Sequence, residues 1–278
     1  MIKHYKILDK DALDEIDSLI SNERYEHFYL INAIKKINTG ELSYCDAWST
    51  IKNNNCWILG FWTRTTYYLF GKNWTESQVK EISKLIEFDK FNEFPFCGTF
   101  KLLEEIHSLN PSACFQDYKL RNFYRITNMS AENESASNIR LAKISDFRDL
   151  VSMRIEYYAE EYNGENNKSV YQIEPIIENE IYNNRLYSIL DKNEKIVGSC
   201  STLDDERIGI IYIKKASRQK GFGKSLLRHV TKELFVHNGN MPCHLMTDET
   251  NAGSNKLALA VGYKLIYKYS TKILNNCG

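Results

Sequence analysis

From Arg207 to Lys232 the chain carries eight Lys or Arg and no Asp or Glu, although its 278 residues hold 36 basic and 36 acidic side chains in balance. That local excess is suited to binding a small anion. Arg218, Lys220, Gly221, Gly223 and Lys224 fall where a strand-like run, Ile208 to Ile213, gives way to a helix-like run. A turn of this kind presents free backbone N–H groups and the positive end of a helix dipole to phosphate oxygens. Glycine is needed there because a Cβ would hold the phosphate away from the backbone.

Three phosphate motifs compete for the turn. A Walker A loop needs glycine five residues before Gly223, and that position is Arg218, so Gly223-Lys-Ser is half a motif. The dinucleotide pattern GxGxxG matches Gly221 and Gly223 and then meets Leu226. Arg-x-x-Gly-x-Gly is matched in full by Arg218, Gly221 and Gly223 after a strand. This resembles the pyrophosphate signature of the GNAT superfamily, the acetyl-CoA-dependent N-acetyltransferases. The order around it is similar too: a strand and helix at 139–150, strands at 186–203, and at the end Thr247 to Tyr263, with an Asn-containing turn, a short helix and a Gly-Tyr pair. The likeness covers residues 138–274 and is closest to a bacterial branch that carries a degenerate copy of the fold in front.

The resemblance implies acetyl-CoA as co-substrate and direct attack by a primary amine of a small molecule or peptide. It implies that main-chain groups of Ile211 and Ile213 meet the pantetheine arm, one N–H polarising the thioester carbonyl as an oxyanion hole does. Main-chain N–H groups of Gln219, Lys220, Gly221, Phe222, Gly223 and Lys224 would hold the pyrophosphate, with charge from Arg218 and Lys220; Asn251 and Ser254 match positions that touch the pantetheine. One position departs from the family pattern: its usual general acid, a tyrosine seven residues after the asparagine, is here Ala258. Tyr212, Tyr263 or an ordered water stand as substitutes, with Tyr212 the expected catalytic candidate. Glu206, with Asp204 and Asp205 beside it, is the expected base, although three acids in a turn also suit a solvated loop. Tyr157, Tyr158, Glu160, Glu161 and Tyr162 fall where the family's first helix borders the acceptor, and His229 and His237 are expected to face solvent. A non-catalytic acyl-CoA sensor or scaffold is the alternative that Ala258 favours.

The elements that must position these residues follow from periodicity. Asp11 to Ile20 reads as a helix with Asp9 as cap, Trp57 to Phe70 as a strand pair, and Thr75 to Ile86 as a capped helix. Ile139 to Ala142 reads as a strand, followed by a helix capped by Ser145 and a second helix begun by Glu174-Pro175. Strands at 186–190, 195–203 and 208–213 come next, the last expected to be buried on both faces. A helix at 221–235, a strand at 244–247, a short helix at 254–260 and a strand at 263–272 complete the chain. The fold class is mixed α/β, a central mixed sheet flanked by helices in residues 131–278, behind a smaller α/β domain in residues 1–130. A degenerate copy of the same fold is one reading of that first domain.

Composition sets the remaining bounds. Hydrophobic residues at 43% and charged residues at 26% suit globular cores. The zero net charge argues against a general nucleic-acid partner, and no apolar run is long enough to span a membrane. The charged N-terminus has no signal-peptide pattern, so the protein is expected in the cytoplasm, as a monomer or homodimer. The seven cysteines form no CxxC pair and read as reduced thiols, and adjacent Cys243 and His244 point to opposite faces of a strand, so no metal site is expected. The four tryptophans, 48, 57, 62 and 74, read as core or interface residues.

Overall fold

The computed structural model describes residues 2–5, 10–21, 23–129, 138–162, 164 and 167–275; the expected cap Asp9 and the expected boundary near residue 131 lie outside them. The chain folds into two compact units. The first comprises residues 1–123, 248–250 and 266–278, and the second residues 124–247 and 251–265, so the chain re-enters the first unit twice.

In chain order the elements are β1 (Ile2–His4), α1 (Lys10–Ile20), α2 (Phe28–Asn38), β2 (Tyr44–Asn53), β3 (Cys56–Thr63), β4 (Tyr67–Lys72), α3 (Glu76–Ser83), β5 (Phe94–Thr99), α4 (Phe100–Leu109) and β6 (Cys114–Ile126). They continue as β7 (Ile139–Leu141), α5 (Phe147–Glu161), α6 (Val170–Tyr182), β8 (Leu186–Leu190), β9 (Ile196–Thr202), β10 (Ile208–Ile213), α7 (Phe222–His237), β11 (Cys243–Asp248), α8 (Ala252–Val261) and β12 (Lys264–Asn275). Short 3-10 turns aside, β7 to β12 repeat β1 to β6 in type and order of element among the described residues.

In the first unit the strand order is β1-β2-β3-β4-β5-β12-β6, with β4 and β5 parallel and β12 antiparallel to β5. Aromatic and branched side chains fill its core: Trp48, Tyr67 and Phe96 pack with Leu102, Leu103 and Ile106 of α4. Trp57 is also fully buried, and Trp62 and Trp74 are partly buried against the core. Thr75 caps α3 as expected, accepting from the Gln78 N–H while Gln78 accepts from the Thr75 N–H, although the helix stops at Ser83, short of Ile86.

The second unit is built on the antiparallel sheet β10-β9-β8-β7. Strand β9 is buried along its whole length, and α7 lays Leu226, Leu227, Val230 and Leu234 on the core that also holds Cys200, Leu245 and Tyr263. Three local expectations are corrected. Ser145 does not cap α5; it sits inside a 3-10 turn at Ile144–Asp146, and Asp146 occupies the N-cap position. Helix α6 begins at Val170 under a Ser169–Gln172 capping box, so Pro175 lies inside it and not in its first turn. Strand β10 is not buried on both faces: Ile208 and Tyr212 are buried, and Gly209, Ile210, Ile211 and Ile213 are partly exposed. Cys45, Cys56, Cys97, Cys200 and Cys243 are free thiols, whereas Cys114 is disulfide-bonded, a correction at that position.

No helix among the described residues is long and apolar enough to cross a membrane.

Candidate functional site

The partial exposure of β10 comes from its place at the sheet edge. One edge pairs with β9; toward β11 there is a single parallel bridge, Arg207 with His244, where the His244 N–H donates to the Glu206 carbonyl at 2.8 Å. Past that bridge the edge of β10 pairs with no described strand. Lys214 N–H donates to Val197 O at 2.9 Å, and the same register continues through Tyr212 opposite Ser199. In an antiparallel ladder successive residues alternate between bonding the partner and pointing away. Lys214 and Tyr212 therefore face β9, while Ile211 and Ile213 turn their N–H and C=O groups to the open edge.

Beyond Ile213 the chain turns into α7. Gln219 and Gly221 both have left-handed backbone (φ 61° and 84°), a conformation that occurs in anion-binding turns. Within the described residues, the N–H groups of Gln219, Lys220, Gly221, Phe222, Gly223 and Lys224 bond to nothing in the chain; the first satisfied amide is that of Ser225, on the Gly221 carbonyl at 3.1 Å. Six consecutive free donors at a helix start with no acid in its first turn form a polyanion cradle. A Cβ built on Gly221 meets no atom within 4 Å, so the chain itself leaves that space open. These residues fit a pyrophosphate: a charge-assisted hydrogen bond contributes about 1.5–3 kcal/mol, so a few of the six suffice for firm binding.

The cations expected to assist are mostly engaged elsewhere. Arg218 donates Nε to the Ile213 carbonyl at 2.9 Å and its Nη2 to Glu160 at 2.8 and 3.1 Å, and its guanidinium stacks 5.3 Å from the centre of the Tyr212 ring. Lys220 Nζ turns back to the Ala216 carbonyl. Lys224, exposed in the first turn of α7, has no partner among the described residues. Phe222 packs its ring against the core together with Ile211, Ile213 and Leu257 of α8. Asn251 caps α8 by accepting the Ser254 N–H at 3.0 Å, so these two residues meet each other at the start of that helix.

Tyr212 is buried, and its hydroxyl donates toward Glu160 at 2.8 Å and Glu156 at 3.0 Å. Burial first, then those two carboxylates, push its phenol well above the usual tyrosine range. Burial disfavours ionisation of Glu160, but hydrogen bonds from Tyr212 and Arg218 and the charges of Arg218 and Lys215 outweigh it and hold the carboxyl below its ordinary value. Tyr263 is also buried, with its hydroxyl on Thr231 at 2.8 Å, inside the core. Ala258 is fully buried in the same core. Glu206 is exposed and its carboxylate has no hydrogen-bond partner among the described residues; its contribution to the strand pair is the carbonyl that receives His244. Asp204 is tied to Arg207. His237 is exposed, whereas His229 is half-buried beside Tyr187, a correction to its expected solvent exposure, and burial lowers its pKa.

The corresponding place in the first unit has neither feature. Strands β4 and β5 are paired there over Tyr67–Phe96, Tyr68–Cys97 and Leu69–Gly98. Helix α3 spends amides on its own Thr75–Gln78 box and has Glu76 in its first turn, which disfavours an anion.

The Acetyltransferase (GNAT) family model matches residues 148–263, the stretch that holds the open-edged strand and the free-amide turn. Residues 148–263 are a GNAT acetyltransferase domain. The fold likeness extends past this GNAT domain. A GNAT-family acetyltransferase from Colwellia psychrerythraea aligns over 99% of both chains at 13% identity and a TM-score of 0.57. A GCN5-related N-acetyltransferase from Sphaerobacter thermophilus aligns over 82% of this chain and 76% of its own, at 13% identity and a TM-score of 0.50. At such identities these two show the fold alone. No curated protein matches the sequence.

Proposed function

We propose that the second unit transfers the acetyl group of acetyl-CoA to a primary amine of a small molecule or peptide by direct attack. The run of six free amides at the end of an open-edged β10 carries this reading. Acetyl-CoA, when bound, supplies an activated thioester.

The chain's own residues then have defined tasks. Amides 219–224 hold the phosphates, with Lys224, in the first turn of α7, as an uncommitted cation among the described residues. The Ile211 N–H, fixed on the open edge, donates to developing negative charge, the kind of contact whose loss costs about 3 kcal/mol in acyl-transfer enzymes. Burial and its carboxylate partners make the Tyr212 phenol a poorer acid than an ordinary tyrosine, so its task is to orient Glu160 and Arg218. A thiol of pKa about 8.5 leaves without a dedicated acid at moderate cost, which makes Ala258 compatible with turnover.

The test is release of free thiol from acetyl-CoA in the presence of polyamines, amino acids and aminoglycosides. Amine-dependent release with at least one class is the expected result. Firm CoA binding with no release for any amine would contradict the enzyme reading.

A further inference from the structure

Strand β10 reaches its open-edge geometry through one extra residue. Leu203 N–H donates to Arg207 O at 2.9 Å, and Ile208 stands opposite Thr202. Continued without interruption, that register would pair Ile211 with Ser199 and commit the Ile211 N–H to β9. Instead Ile211 stands opposite Cys200 and Tyr212 opposite Ser199, so Gly209 and Ile210 together oppose the single residue Ser201. This is a β-bulge, and it reverses which residues face outward.

We propose that Ser201 is a positioning residue for acyl transfer, holding the bulge that aims the Ile211 N–H at the open edge. The proposal rests on the acyltransferase reading of that edge. A bulge leaves an amide without its ladder partner, and here the Ile210 N–H donates to Ser201 Oγ at 3.0 Å. Ser201 is 1% exposed, so water does not readily take over the acceptor role. The fit is close: a Cβ on Gly209 would lie 2.7 Å from Ser201 Oγ and 3.2 Å from the Ser201 carbonyl. Ser201→Ala removes the acceptor, and Gly209→Ala crowds it while leaving Ser201 in place. Neither residue belongs to the 219–224 amide run, so phosphate binding does not depend on them.

Two readouts on the full chain test the idea. In the free protein, amide hydrogen exchange at Ile210 should quicken by about tenfold or more in Ser201→Ala, as expected when a partly buried amide loses the side-chain acceptor that holds it. In acetyl-CoA turnover, kcat should fall by about tenfold in both variants while the Kd for CoA, which lacks the acyl carbonyl and keeps its phosphates on the 219–224 amides, changes much less. Unaltered Ile210 exchange, unaltered kcat, or a loss of CoA affinity as large as the loss of kcat would each overturn the role given to Ser201. Failure of the wild-type protein to bind CoA would instead strike the underlying acyltransferase reading, and the exchange result would still decide whether Ser201 holds the bulge. If Ser201→Ala does not fold, Gly209→Ala carries both measurements.

Discussion

Arg218 Nε donates to the main-chain carbonyl of Ile213 at 2.9 Å, occupying that one acceptor on the outer edge of β10 just before the amide run begins. Its Nη2 donates to both carboxylate oxygens of Glu160 on α5. The arginine of the signature thus braces the loop's entry against a helix, and its charge is largely spent before any phosphate arrives.

Arg218→Lys should therefore weaken CoA binding nearly as much as Arg218→Ala, by about fivefold to tenfold. Lysine keeps the charge but cannot serve a carbonyl and a carboxylate through a planar fork. Isothermal titration of CoA into the two variants checks this. Affinity retained by the lysine variant would show that charge is what the position supplies.

Ala258→Tyr, which restores the family's usual acid in name, should destabilise the protein without raising turnover. Ala258 has no exposed surface and sits among Leu226, Val261 and Tyr263. Overpacking a site of this kind costs about 1–3 kcal/mol or more. Denaturant midpoints and thiol release measured side by side decide the matter, and a faster variant of unchanged stability would be the contrary result.

His244 makes the second unit sensitive to mild acid. Burial, then the charges of Arg125 and Arg207, lower its imidazole to about 4. The unfolded chain protonates this group near pH 6.5, so between those values the unfolded state holds a proton that the folded state refuses. Stability from His244 is complete above about pH 6.5 and is lost as pH falls toward 4, by about 2 kcal/mol between pH 7 and 5. Carboxylates with lowered pKa values, such as Glu160, act below this window. Chemical unfolding followed by circular dichroism should show a shallower pH slope in His244→Gln, and an identical slope would remove His244 from the account.

Lys272 on β12 ties the last strand into the first unit. Its side chain is 4% exposed and contacts Glu104 and Asp117, which are 45% and 80% exposed. Removing the lysine leaves two hydrated acids, whereas neutralising both acids strands a buried ammonium. Lys272→Met should cost less than about 1 kcal/mol, and Glu104→Gln with Asp117→Asn about 3 kcal/mol or more. All four tryptophans lie in the first unit, so fluorescence-detected unfolding reads the difference directly. Equal costs would contradict the asymmetry.

Much of the second unit could be read from residue spacing because its cues are local. The stripe Leu226, Leu227, Val230 and Leu234 announced α7, and Arg218, Gly221 and Gly223 marked the turn before it. Features that depend on contacts across the fold were not legible. The bulge in β10 arises from the pairing of two strands; Gly209 is the one local hint of it in Ile208 to Ile213, and the register it sets depends on β9. The clasp between Arg218 and Glu160 joins residues 58 positions apart, and only the placement of Glu160 near the first helix's end hinted at a role. Pro175 misled for a simpler reason: proline favours a helix start, but the Ser169–Gln172 box begins α6 one turn earlier. In the first unit the Thr75 cap was legible, while the closing of β4 onto β5 appears only in the sheet.

Calorimetric titration of CoA into the full chain, with Gly221→Asp as the paired control, is the most direct measurement. Asp tolerates left-handed backbone, so this variant should fold while placing a carboxylate among the amides at 219–224. The account predicts one CoA per chain for the wild type and no detectable heat for the variant. Absence of binding by folded wild-type protein, or undiminished binding by Gly221→Asp, would contradict it.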